Sequence, residues 1–215
     1  MAVRAGRFQD RNLLRRVGRR CTWQQAVLCP CQQYDGAQGP PCLSCERGYL
    51  YQPGELTKVL MTSDDRRDNA DLAGLWEEGV AYGTFAAHLW VGHQDKVVVE
   101  DFPIRDNLIV LRGSTTKDTL RQPHVVDLLV VRTEDEIYTK GANFQLAEDA
   151  NGNSAIEWLS GGPDAGERYS VLLTCKMVWI VENHEFVRGL TGRRKDQLPK
   201  KVRLLRWDRA VEGVS

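Results

Sequence analysis

The sequence predicts an all-β protein: an antiparallel β-sandwich or barrel body, a small zinc-ribbon-like knuckle in front of it, and extended basic termini. Three observations predict it. Short runs rich in Val, Ile, Leu, Tyr and Trp recur at about ten-residue spacing, divided by clusters of Gly, Asp, Asn and Pro. No stretch between them combines helical periodicity with helical length, and the weak "DLAGLWEEG" around Leu75 comes nearest. Four of the six cysteines fall in "CPCQQYDGAQGPPCLSC", from Cys29 to Cys45, which is a pattern for holding an ion rather than for building a strand.

Length and composition set the frame. A chain of 215 residues with 42% apolar content is long enough to bury a hydrophobic core. No window approaches eighteen consecutive apolar residues and the start lacks a secretory apolar run, so neither a membrane span nor export is expected. Thiols kept in a cytoplasm stay reduced, and closely spaced cysteines there hold metal more often than they form disulfides.

The elements follow in chain order. Residues 1–20 form a basic arm with seven Arg against one Asp; "RAGRFQDRNLLRRVGRR" suits nucleic acid or an acidic neighbour, an organelle transit peptide, or a solvated flexible arm. Residues 21–52 hold the cysteine element. Cys42 and Cys45 make a C-x-x-C pair whose tight turn points two thiolates at one ion, and Cys29 and Cys31 offer a second pair, C-x-C rather than C-x-x-C. Gly36, Gly39, Pro40 and Pro41 suit a return turn, and Gly48 follows as a glycine does after a ribbon knuckle. Four sulfurs close a structural zinc shell without an open position for catalysis; a thiol cluster or disulfides are the alternatives. Cys21 and Cys175 stand alone, as small buried hydrophobes.

Residues 53–187 form the β-rich body, with a division into two β subdomains near 113–122. Its strand candidates are "LTKVLMTS", "GVAYGTFAAHLWVG", "DKVVVEDFPI", "NLIVLRG", "HVVDLLVVRT", "AIEWLS" and "YSVLLTCKMVWIV". Residues 188–215 form a basic extension in which "KKVRLLRWDRA" alternates enough to add a strand to a neighbour or to its own sheet. Charge is segregated although it sums to zero. Residues 21–187 carry thirteen basic and twenty-five acidic side chains, whereas 188–209 carry nine basic and two acidic.

Catalytic patterns are missing from the sequence. There is no G-x-S-x-G elbow, Walker loop or dinucleotide fingerprint. His88, His93, His124 and His184 are scattered, and Asp64 with Asp65 and Glu134 with Asp135 and Glu136 fall in polar turns where solvation explains them. A protein that is not an enzyme, without a small-molecule substrate, is expected.

From Arg112 to Val171 the chain carries an opening "RG…D.L", a strand, a "Y..G.(D/N)(F/Y).L" turn, an "I.W" strand and a "P..G..Y.V" hairpin. The positions are Arg112, Gly113, Asp118, Leu120, Tyr138, Gly141, Asn143, Phe144, Leu146, Ile156, Trp158, Pro163, Gly166, Tyr169 and Val171. This third of the chain resembles a module that recurs in structural proteins of tailed bacteriophages. Gly141 and Gly166 permit turns, and Tyr138, Phe144, Trp158 and Tyr169 supply large core-facing area. A cysteine cluster before such a region is similar to proteins of the head-to-tail neck of phages with contractile tails. The resemblance implies a virion protein, assembled in the host cytoplasm, that forms a homo-oligomeric ring and contacts other neck, portal or tail proteins, while genomic DNA passes the channel without specific binding. A baseplate or tail-tube-associated protein is the neighbouring expectation. A zinc-ribbon nucleic-acid-binding module is the rival from another class.

Overall fold

The computed structural model describes residues 14–31, 45–46, 48–62, 79–86, 88–150, 152–186 and 200–208, with backbone alone for 183–186 and 200. The "DLAGLWEEG" segment apart from its final Gly79, Cys42, His184's side chain, most of the basic arm and residues 188–199 lie outside the described residues. Among the described residues the chain is nearly all strand, with a single helical turn over 14–17.

The strands are β1 (Arg19–Gln24), β2 (Ala26–Leu28), β3 (Tyr49–Tyr51), β4 (Glu55–Thr62), β5 (Val80–Phe85), β6 (Lys96–Leu111), β7 (Lys117–Thr119), β8 (Val125–Arg132), β9 (Ile137–Tyr138), β10 (Phe144–Glu148), β11 (Ser154–Trp158), β12 (Arg168–Phe186) and β13 (Lys200–Arg206). They form two compact units. The first gathers the described residues up to Asp101 with those from Val178 onward, and the second is Phe102–Met177.

The first unit is an antiparallel barrel. β1 pairs with β4 and with β6, β4 with β5, β5 with β13, and β13 with β12. β12 and β6 are neighbours, which closes a ring of six strands and leaves none of them as an open edge. Side chains alternate across the wall as the two-residue strand period requires. In β1, Cys21 and Trp23 are buried while Arg20 and Thr22 are not, and in β13 Val202 and Leu204 are buried while Lys201 and Arg203 keep partial exposure. Val59, Phe85, Val97, Val99, Trp179 and Val181 complete the core, each fully buried. Burying a side chain of this size contributes roughly 1.5–3 kcal/mol. Gly83 sits where a side chain would not fit: an added Cβ would lie 2.9 Å from Leu204 Cδ1, 3.0 Å from Phe85 Cε2 and 3.1 Å from Val59 Cγ2.

In the second unit, β12 has β6 on one side and β8 on the other, and β8 pairs with β9. A separate three-stranded sheet runs β10-β11-β7. The aromatic core belongs to both sheets. Trp158 on β11 meets Tyr138 and Tyr169 edge to face, with ring centroids 5.3 Å away in each case, and Phe144 at 6.1 Å.

Beneath this cluster lies Asp118, which is 5% exposed. Its Oδ2 accepts the indole N–H of Trp158 and the hydroxyl of Tyr169, both at 2.8 Å, and its Oδ1 accepts the backbone N–H of Gly113 at 2.8 Å and Nη1 of Arg112 at 3.1 Å. The Arg112 guanidinium also stands 5.5 Å over the Trp158 ring. A buried carboxylate is tolerated because its oxygens are all occupied. The Tyr169 hydroxyl is pushed well above the usual tyrosine range, first by burial and then by its bond to Asp118. It stays a donor at any ordinary pH.

Candidate metal centre

The cysteine element rises from the barrel as a two-stranded ribbon in which β2 pairs antiparallel with β3, Leu28 opposite Tyr49 and Ala26 opposite Tyr51. Cys29 follows β2 directly, and its N–H donates to the carbonyl of Gly48 at 2.7 Å. Before β3 the chain makes a tight turn in which Glu46 and Tyr49 exchange backbone hydrogen bonds of 3.0 and 2.9 Å. Gly48 takes φ +82° there, a left-handed conformation that glycine adopts without steric cost. This turn returns Cys45 to the end of the ribbon that carries Cys29 and Cys31.

The sulfurs of Cys29, Cys31 and Cys45 lie within 4.8 Å of one another, and those of Cys31 and Cys45 are 3.5 Å apart. That is far beyond the length of about 2.05 Å of a disulfide. Thiolates sharing a tetrahedral ion at about 2.3 Å stand roughly 3.8 Å apart, so the cluster is close enough to bind a metal ion with small adjustments. Cys42, the predicted fourth ligand, lies outside the described residues. Among the described residues this is the one group of three or more Cys, His, Asp or Glu with such geometry.

Two adjacent barrel residues hold the ribbon. Asp95, 1% exposed, accepts the indole N–H of Trp23 at 2.8 Å, the N–H of Ala26 at 2.9 Å and the N–H of Gly92 at 2.6 Å. It therefore fixes the point where β1 gives way to β2. Lys96, 5% exposed, donates to Glu46 Oε2 at 2.6 Å and stands 4.0 Å over the Tyr51 ring. An ammonium so buried is stabilised by this carboxylate and this ring face together. Neither residue was marked by the sequence reading; a charged pair at the head of an apolar strand, "DKVVV", is the signal that could have found them.

The other cysteines are not ligands to this centre. Cys21 and Cys175 are fully buried, one in each unit. Burial first, then the Asp101 and Glu100 carboxylates, push the Cys21 thiol up to about 12, and burial pushes Cys175 up to about 11. Such thiols stay protonated and inert. His88 and His93 are exposed, and neither joins the cysteine cluster. No protein-family model and no curated protein sequence matches the chain.

Proposed function

We propose that this chain is a structural protein of a tailed-phage particle, a component of the head-to-tail neck that works by assembly with copies of itself and with neighbouring neck, portal or tail proteins. One observation carries the reading: the fifteen positions that resemble the phage module all fall within the unit Phe102–Met177 and include the residues that organise it. Arg112, Gly113, Asp118, Trp158 and Tyr169 form the buried node, and Tyr138 and Phe144 pack on it. Gly141 and Gly166 hold left-handed turns at φ +81° and +88°. Asn143 ties its own loop, its Oδ1 accepting from Thr139 N at 2.9 Å and its Nδ2 donating to Ser160 O at 3.0 Å. The resemblance therefore rests on residues with structural roles, as expected for a building block.

In this reading the metal is zinc, held by Cys29, Cys31, Cys45 and Cys42, and it staples a ribbon too small to have a core of its own. The acidic middle of the chain and its basic ends supply surfaces of opposite sign for neighbouring subunits, and DNA passes without being captured. Quantitative mass spectrometry of purified particles tests the reading: a stoichiometric copy number supports it, and absence from particles overturns it. Steep salt-dependent binding of duplex DNA by the isolated protein would instead favour the zinc-ribbon nucleic-acid module.

A further inference from the structure

The helical turn at 14–17, the start of β1, β4 and β6 border an open cavity of about 580 Å³ in the first unit, lined by Arg16, Arg19, Arg20, Lys58 and Asp101. Arg16, Arg19, Arg20 and Lys58 bring four cationic residues to this lining and Asp101 brings one carboxylate. The Asp101 side chain uses Oδ2 to accept the N–H of Arg20 at 3.1 Å, while its Oδ1 is buried with no hydrogen-bond partner among the described residues. Lys58 is held in place by donating to the carbonyl of Arg15 at 2.8 Å, and Arg16 and Arg20 are exposed. An occupant that complements the exposed Arg16 and Arg20 brings anions, and one that satisfies Asp101 brings a hydrogen-bond donor. A phosphodiester brings anionic oxygens but no hydrogen-bond donor for Asp101 Oδ1. A peptide turn rich in acidic side chains brings carboxylates and backbone N–H groups together.

The second unit presents such a turn. Between β8 and β9 the chain carries Glu134, Asp135 and Glu136 in succession, all exposed. The turn is built without the side chains of Glu134 and Asp135. Thr133 Oγ1 accepts the N–H of Glu136 at 3.1 Å, Thr133 N–H donates to the carbonyl of Glu136 at 2.9 Å, and Arg132 donates to the carbonyls of Thr133 and Glu134 at 3.0 Å each. Its carboxylates are thus presented on a tip already fixed by its backbone, which lowers the ordering cost of docking.

We propose that the basic cavity of one copy receives the Glu134–Asp135–Glu136 tip of a second copy. The two patches differ and belong to different parts of the chain, so the contact joins unlike surfaces, as the head-to-tail contacts of rings do. The inference deepens the assembly reading above and rests on its claim that the chain associates with itself.

Charge reversal with rescue on mixing tests it, using the full chain and sedimentation velocity at low and high salt. Wild-type protein should self-associate, more weakly as salt rises. Arg16→Glu with Arg20→Glu, and separately Glu134→Lys with Asp135→Lys, should each weaken self-association by roughly tenfold or more. Mixing the two reversed proteins should restore association, since each supplies what the other lacks. Circular dichroism and the milder Arg16→Gln/Arg20→Gln and Glu134→Gln/Asp135→Asn variants guard against misfolding and should show the same loss in smaller degree. Association of either reversed protein at the wild-type level, or no recovery on mixing, overturns the proposal. So does binding of a duplex DNA fragment that Arg16→Glu/Arg20→Glu abolishes and the tip variants leave intact. A protein found in particles at stoichiometric copy number that fails these tests would keep the virion reading and lose only this contact.

Discussion

The indole N–H of Trp158 donates to Asp118 at 2.8 Å, and the indole N–H of Trp23 donates to Asp95 at the same distance. Each unit of the chain thus buries one carboxylate against one tryptophan, with backbone or side-chain donors completing the carboxylate's shell. These pairs fix two large core side chains in one orientation, because an indole rotated away would orphan both its own N–H and a buried carboxylate oxygen.

Replacement at Trp158 separates the two parts of that arrangement. Trp158→Ala removes the ring between Tyr138, Phe144 and Tyr169 and should cost about 3–5 kcal/mol in urea unfolding. Trp158→Phe keeps an aromatic ring but takes a donor from Asp118, for an expected cost of about 1–3 kcal/mol. Wild-type stability in Trp158→Ala would show that the cluster is not the core of its unit.

Gly162 approaches the same ring. A Cβ there would lie 2.6 Å from Trp158 Cε3 and 2.9 Å from Cδ2, whereas one at Gly141, φ +81°, would meet nothing within 4 Å. Gly162→Ala therefore pays for a clash against a fixed indole and should cost about 1–3 kcal/mol. Gly141→Ala carries only left-handed backbone strain, roughly 1–2 kcal/mol. The crowding itself is checked by near-ultraviolet circular dichroism, where Gly162→Ala should alter the tryptophan signal and Gly141→Ala should not.

Metal content checks the cysteine centre. Reduced protein should bind about one equivalent per chain by elemental analysis, and Cys45→Ser should lower it. The barrel should keep its far-ultraviolet spectrum in that variant, since Cys45 contributes nothing to its core. An unchanged metal content in Cys45→Ser would remove Cys45 from the site.

Alkaline pH should weaken the fold. The Cys21 thiol is raised from 9.0 to about 12 and the Cys175 thiol from 9.0 to about 11, and the Tyr169 hydroxyl is raised from 10.0. A raised folded value means that the unfolded chain loses its proton first. The stability these groups contribute is complete below pH 9 and is lost as pH rises, for Cys21 between about 9 and 12. Denaturant midpoints should fall from pH 8 to pH 10.5, and less steeply in Cys21→Ala; equal slopes would exclude Cys21 as a contributor.

The sequence marked most strands by their apolar alternation, and the places where it misled have physical causes. "DKVVVEDFPI" and "NLIVLRG" suggested two strands, yet β6 runs unbroken through Pro103, which is exposed and lies beyond the stretch Lys96–Val99 that pairs with β1, where a missing N–H costs that ladder nothing. β1 was hidden inside a basic arm and a cysteine element, since Arg19 and Arg20 suggested a solvated tail; outward-facing strand positions accept such residues, and Cys21 and Trp23 carry the inward face. "GVAYGTFAAHLWVG" yields a strand only as far as Phe85, after which Leu89 and Val91 are buried without extended pairing. Pairings between distant segments were not legible at all. Nothing in "KKVRLLR" says that it lies between β5 and β12. At the metal centre the cysteines were visible as a spacing, while Asp95 and Lys96, which position the ribbon, act through contacts that only the fold creates.

That discontinuous barrel imposes an order on synthesis. β5 ends at Phe85 and its partner β13 begins at Lys200, so more than a hundred residues are translated in between. At roughly 5–20 residues per second, β5 waits on the order of ten seconds for the strand that covers it. Phe102–Met177 is one unbroken stretch and is complete before that strand exists. Proteolysis of stalled nascent chains should accordingly find this middle stretch protected first. Until Lys200–Arg206 emerges, β5 has a bare edge beside β4, and a nascent chain paused there is the species most prone to pair with another.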